Sequence, residues 1–142
     1  MNILLVSHGK LCEGVLDAYK MLFADAPNVS ALSLTNDGVE DFRVRLDERL
    51  AALDGQGPIL VMADLLGGTP YNEVYARLLE DPSRLRLVCG LNLPMLIEAG
   101  VMASAADDID AVVQTAVSAG ASGVCGAELP QEDGPEEEED LF

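Results

Sequence analysis

The chain has 142 residues, 49% of them apolar, with aromatics at 4%, no Trp, and a formal net charge of -17. That length and composition fit one globular domain with a real core. The charge counts against nucleic acid and anionic lipid as partners, the few aromatic rings count against stacking platforms, and no apolar run approaches the ~20 residues of a membrane span.

The charge is uneven. From Glu128 onward there are eight acids and no bases, which leaves 17 acids and 8 bases in residues 1–127. Three cysteines, Cys12, Cys89 and Cys125, have no motif spacing. An odd number without a disulfide framework fits a reduced, cytoplasmic setting. The N-terminal MNILLVSHGK has no basic region, and its apolar run is too short for a signal peptide.

In chain order, NILLV reads as a buried parallel strand bounded by Ser7-His8-Gly9. LCEGVLDAYKMLFA repeats apolar residues at helical spacing. VSALSL, residues 29–34, has strand length, and Thr35-Asn36-Asp37-Gly38 is a turn in which Asn36 or Asp37 is a candidate helix cap. VEDFRVRLDERLAAL sets Val39, Phe42, Leu46, Leu50 and Leu53 on one stripe, opposite a charged face. ILVMA is the third strand, and DLLGGTPYN follows it. The segments EVYARLLE, RLRLVCG and NLPMLIEAG then read as helix, strand and short apolar helix, with Cys89 expected buried. DDIDAVVQTAVSAG is a longer helix with Asp107 or Asp108 as cap and Gly120 as stop. ASGVCGAEL is ambiguous, with room for one last short strand. Residues 1–126 form the expected domain, and 127–142 an acidic tail with nothing to bury, expected to be disordered.

Strands alternating with helices predict an α/β fold: an open, mainly parallel four-stranded sheet with helices on both faces. In the order 2-1-3-4 the first and third strands are neighbours, and their carboxyl ends meet at the switch point where ligands bind. His8 ends one and Asp64 the other, facing across a crevice. A carboxylate accepting from one imidazole nitrogen fixes the tautomer and presents the other nitrogen as nucleophile or base. Asp64 also reads as a turn residue bonding to nearby N–H groups. Gly67 and Gly68 permit positive φ and close backbone approach. Thr69 is placed to cap the next helix and Pro70 fits its first turn. A glycine turn into a helix N-terminus is an anion site. Imidazole, carboxylate and anion cradle together suggest a phosphoryl group on His8. Lys10 reads either as a phosphate-steering charge or as an exposed helix-start lysine. Cys12 is expected to point into the core rather than pair with His8.

SHGxxxEG near the N-terminus, DLLGGTPYN after it and GLNLPML later resemble the IIA domain of mannose-type sugar phosphotransferase systems. The resemblance covers residues 1–126. It implies a phosphocarrier that accepts a phosphoryl group from the histidine phosphocarrier HPr and passes it to a IIB domain, for sugar uptake and phosphorylation. His8 would carry the phosphoryl on Nε2, Asp64 would hold Nδ1–H, and Thr69 with nearby backbone N–H groups would receive the phosphoryl oxygens, with Ser7 as a further candidate. It also implies a homodimer exchanging a C-terminal strand, for which GVCGAEL is the candidate. No cofactor is implied beyond the transient phosphohistidine, and no metal. Leu65-Leu66 depart from the polar or aromatic residues common at this point of the family, which bears on partner choice. A regulatory module phosphorylated at His8 without a transport role is the alternative. A hydrolase using His8, Asp64 and Ser7 or Cys12 is a third reading, and the arginines of histidine phosphatases are missing from it.

Overall fold

The computed structural model describes residues 1–131. The elements run β1 (Asn2–His8), α1 (Leu11–Leu22), β2 (Val29–Leu34), α2 (Val39–Ala52), β3 (Ile59–Ala63), α3 (Thr69–Glu80), β4 (Leu85–Cys89), α4 (Leu93–Ala105) and α5 (Ile109–Ser122). The four strands form one parallel sheet in the order β2-β1-β3-β4. The central strands β1 and β3 have both faces covered, so they read as unbroken apolar runs.

Alternate residues of each strand feed opposite faces. Ile3 and Leu5 pack with α1, α4 and α5 through Tyr19, Met95, Leu96, Ala99 and Val112. Leu4 and Val6 pack with α2 and α3 through Phe42, Leu46, Leu50 and Val74. The helices thus fall three on one face and two on the other. Ion pairs join α2 to α3: Arg77 Nε meets Asp47 Oδ1 at 2.7 Å, and Arg43 Nε meets Glu73 Oε1 at 2.9 Å. The hydrogen bond from Arg77 outweighs partial burial and holds the Asp47 carboxyl below the usual carboxylate range. Among the described residues no helix is long and apolar enough to cross a membrane.

Several local expectations are corrected. Neither Asn36 nor Asp37 caps α2. Gly38 does so at φ +97, without a side-chain bond, because the Thr35 hydroxyl and carbonyl already take the Asp37 and Gly38 N–H groups. α4 continues past Gly100, where a Cβ would strike the Tyr19 ring of α1. Asp108 caps α5, and the helix does not stop at Gly120. Gly120 lies inside it because a side chain there would meet Met95 Cε at 2.9 Å. Cys89 is half-buried, as it ends the edge strand β4. Residues 124–131 form no strand within the chain, and residues 132–142 of the expected acidic tail lie outside the described residues.

Phe42 is fully buried on the α2–α3 face. Phe42→Ala is expected to cost about 3–5 kcal/mol, read from urea unfolding.

Candidate functional site

The site starts from register. Val6 of β1 pairs with Ala63 of β3, after which β3 leaves the sheet at Asp64 while β1 runs on to His8 against Leu34 of β2. Asp64 there takes over from the ladder: its Oδ2 accepts the His8 main-chain N–H at 3.0 Å, and the same oxygen lies 2.8 Å from His8 Nδ1. The carboxylate places the ring proton on Nδ1 and leaves the Nε2 lone pair free. The imidazole is 47% exposed, whereas the Asp64 side chain is only 9% exposed. Burial pushes the Asp64 carboxyl up, but the hydrogen bonds from the His8 ring and main chain, with the attraction of the ring in its protonated form, bring it below the ordinary value. Its Oδ1 is buried and takes no hydrogen bond from the described residues.

Gly67 and Gly68 divide two tasks. Gly67 turns the chain at φ +77. Gly68 has an ordinary φ of -71 and serves through its missing side chain. A Cβ there would lie 2.7 Å from His8 Cε1 and 3.4 Å from Nε2. The Gly68 N–H closes the turn onto the Leu65 carbonyl at 3.1 Å. Asn72, which the sequence reading left without a role, donates from Nδ2 to the Gly67 carbonyl at 3.0 Å and ties the loop to α3. Its place inside DLLGGTPYN, one turn into the helix, was the available signal.

Gly68, not Thr69, is the cap of α3; Thr69 is the first helical residue and its side chain makes no cap bond. Pro70 has no N–H, and the Asn72 N–H is spent on the Gly68 carbonyl. Helix geometry leaves the Thr69 and Tyr71 amides without an intrahelical partner, next to a positive dipole end.

Ser7 is placed elsewhere. As the neighbour of His8 on a strand it faces the other side of the sheet, fully buried. Its Oγ donates to the Gly9 carbonyl at 2.9 Å and accepts the Cys12 N–H at 2.8 Å. Both bonds tie its hydroxyl to main-chain groups beside His8. Cys12 is buried, with Sγ 3.4 Å from Ser33 Oγ, away from His8. Lys10 is exposed at the start of α1 and lines, with His8, Arg45 and Arg49, a groove of about 900 Å³. Leu11, close after His8 in the chain, and Leu65 and Leu66, directly after Asp64, are exposed at 52%, 58% and 67%.

The site is a lone, oriented imidazole at the switch point of a parallel sheet, facing a glycine turn into a helix. The pattern of the PTS system fructose IIA component family matches residues 2–117, and the chain belongs to that family. It is similar to the PTS system mannose-specific EIIAB component of Escherichia coli K12, 28% identical over 123 residues, 86% of this chain. The chain spans only 38% of that protein's length. It is 30% identical over 107 residues to the PTS system sorbose-specific EIIA component of Lacticaseibacillus casei, covering 73% of this chain and 75% of that one. The solved mannose/sorbose-specific IIA subunit from Enterococcus faecalis superposes with a TM-score of 0.82 at 34% identity, over 92% of this chain and 96% of that chain. The expected family and the 2-1-3-4 sheet are both borne out.

Two outcomes are expected from the geometry. Gly68→Ala keeps an allowed backbone but displaces the imidazole. Histidine phosphorylation should then fall on the order of 10- to 100-fold in a labelling time course, with the melting temperature little changed. In an NMR pH titration Asp64 should titrate below the ordinary ~3.9 of a free carboxyl. A depressed folded value means the tether's stabilisation is present above the unfolded value and lost as pH falls through the folded one.

Proposed function

We propose that the chain is a phosphocarrier of a sugar phosphotransferase system, taking a phosphoryl group from phospho-HPr onto His8 and passing it to a IIB domain. The observation that carries this reading is the 2.8 Å contact between Asp64 Oδ2 and His8 Nδ1, which leaves Nε2 as the nucleophile.

In the transfer the Nε2 lone pair attacks phosphorus in line with the donor's P–N bond. The Nε2–P bond forms as the donor bond breaks, and the departing imidazole keeps that electron pair. The donor ring goes from cationic to neutral while the His8 ring goes from neutral to cationic. No proton has to move, because Nδ1–H stays on Asp64, whose carboxylate stabilises the new ring charge. The phosphoryl oxygens are received by the Thr69 hydroxyl and the amides of Gly67, Thr69 and Tyr71, with Gly68 supplying the space. Such transfer needs positioning and charge stabilisation rather than further covalent machinery. The proposal assigns no cofactor and no metal, only the transient phosphohistidine.

Exposed Leu11, Leu65 and Leu66 form an apolar rim on which HPr and the IIB domain would dock. A homodimer fits residues 123–129, where Val124 and Leu129 are 79% and 90% exposed and none of the described residues covers them. These partners would place the protein in the cytoplasm.

Incubation with enzyme I, HPr and phosphoenolpyruvate should add one acid-labile phosphoryl group by intact mass, absent in His8→Ala; a well-folded protein that stays unlabelled by its matched HPr sinks the reading. Asp64→Asn should slow labelling on the order of 10- to 100-fold, since the imidazole loses its orienting charge. Leu66→Asp should raise the KM for phospho-HPr several-fold while kcat and the melting temperature hold, an effect on the order of 1 kcal/mol.

A further inference from the structure

The Ser7 hydroxyl is wholly enclosed, and what it holds is the main chain on either side of His8. Its proton goes to the Gly9 carbonyl, so one hydrogen bond bridges the residue before the histidine to the residue after it. Its oxygen takes the Cys12 N–H at 2.8 Å. That amide belongs to the first turn of α1, where Lys10 offers no side-chain cap. Ser7 therefore does a cap's work from the end of β1.

Around these bonds the main-chain amides of His8 and Gly9 are also held. The His8 N–H is on Asp64, and the Gly9 N–H is on the Leu34 carbonyl at 2.7 Å. Gly9 turns sharply at φ +55. A Cβ at Gly9 would meet nothing within 4 Å, so packing does not hold this turn in place. The polar bonds do, and the Gly9 carbonyl is secured by Ser7.

We infer that Ser7 is a positioning residue for His8: through Gly9 and Cys12 it sets the main chain so that the ring meets Asp64 and lies against Gly68, and the transfer rate depends on a hydroxyl that never touches the phosphoryl group. The inference rests on the phosphocarrier reading. Removing the hydroxyl leaves the buried Cys12 amide without its partner and releases the part-buried Gly9 carbonyl. The loop then relaxes, and a displacement of about an ångström at a reacting atom costs on the order of 100-fold in rate.

The test compares wild type with Ser7→Ala, Ser7→Thr and Ser7→Cys, all assayed well below their melting temperatures. Initial rates of His8 labelling by phospho-HPr give kcat and KM, and ¹⁵N NMR of the imidazole in the unphosphorylated protein gives the tautomer. Ser7→Ala should lower kcat on the order of 10- to 100-fold with KM changed less than about twofold. Its ring signals should move from a single Nδ1–H tautomer toward an average of both. Ser7→Thr, which keeps the hydroxyl, should restore rate and tautomer together. A Ser7→Ala protein with wild-type kcat and tautomer but a lower melting temperature overturns the inference and leaves Ser7 as a helix cap alone. Should Ser7→Ala not fold, Ser7→Cys carries the comparison, because a thiol is a weak donor and acceptor; wild-type kcat and tautomer there overturn it equally. If wild type itself takes no label from HPr, the carrier reading falls, and the tautomer comparison still decides the role of Ser7.

Discussion

One carboxylate oxygen, Oδ2 of Asp64, receives both N–H groups of a single residue, the main-chain amide and the ring Nδ1–H of His8. Everything else at the site depends on that double attachment. It removes the freedom of tautomer and of ring rotation at once. It is possible only because β1 and β3 are parallel neighbours in a register that puts Val6 opposite Ala63. It also carries a cost, since Oδ1 is buried without a partner among the described residues. A fold selected for stability alone has little reason to keep such an atom, and a fold holding a nucleophile ready does.

The layered architecture supports this pair from both sides. Strand alternation sends Ser7 into the α1 side and leaves the imidazole toward the loop before α3. That loop is anchored by Asn72, and α3 in turn is fastened to α2 through the Arg77–Asp47 and Arg43–Glu73 pairs. The exposed nitrogen of His8 thus sits between a rigid carboxylate and a glycine whose missing side chain makes room for the ring. Membership of the PTS system fructose IIA component family gives this frame its setting. In the phosphocarrier reading the sheet is a jig for one imidazole, and recognition falls to the leucines at its rim.

Much of this was legible in the sequence. The four strands were readable because each is a short apolar run closed by turn residues, and the order 2-1-3-4, once taken, set His8 and Asp64 face to face. What escaped has physical reasons. Candidate caps at Asn36, Asp37 and Thr69 failed because the chain entered α2 and α3 through Gly38 and Gly68, which cap without side chains. Gly120 looked like a stop, yet its smallness serves packing against Met95, which local pattern does not encode. Ser7 entered as a phosphoryl-binding candidate through the family resemblance, and its bonds to the Gly9 carbonyl and the Cys12 amide depend on the turn after β1, which local pattern does not encode. Asn72 was in view but its bond to Gly67 depends on the shape of the loop.

The most direct measurement is ¹⁵N and ³¹P NMR of the protein after phosphorylation with its matched HPr, with His8 labelled in the ring. The account predicts phosphorus coupled to Nε2 and a proton retained on Nδ1, and a Nδ1-linked phosphoryl group, or one on another residue, would contradict it.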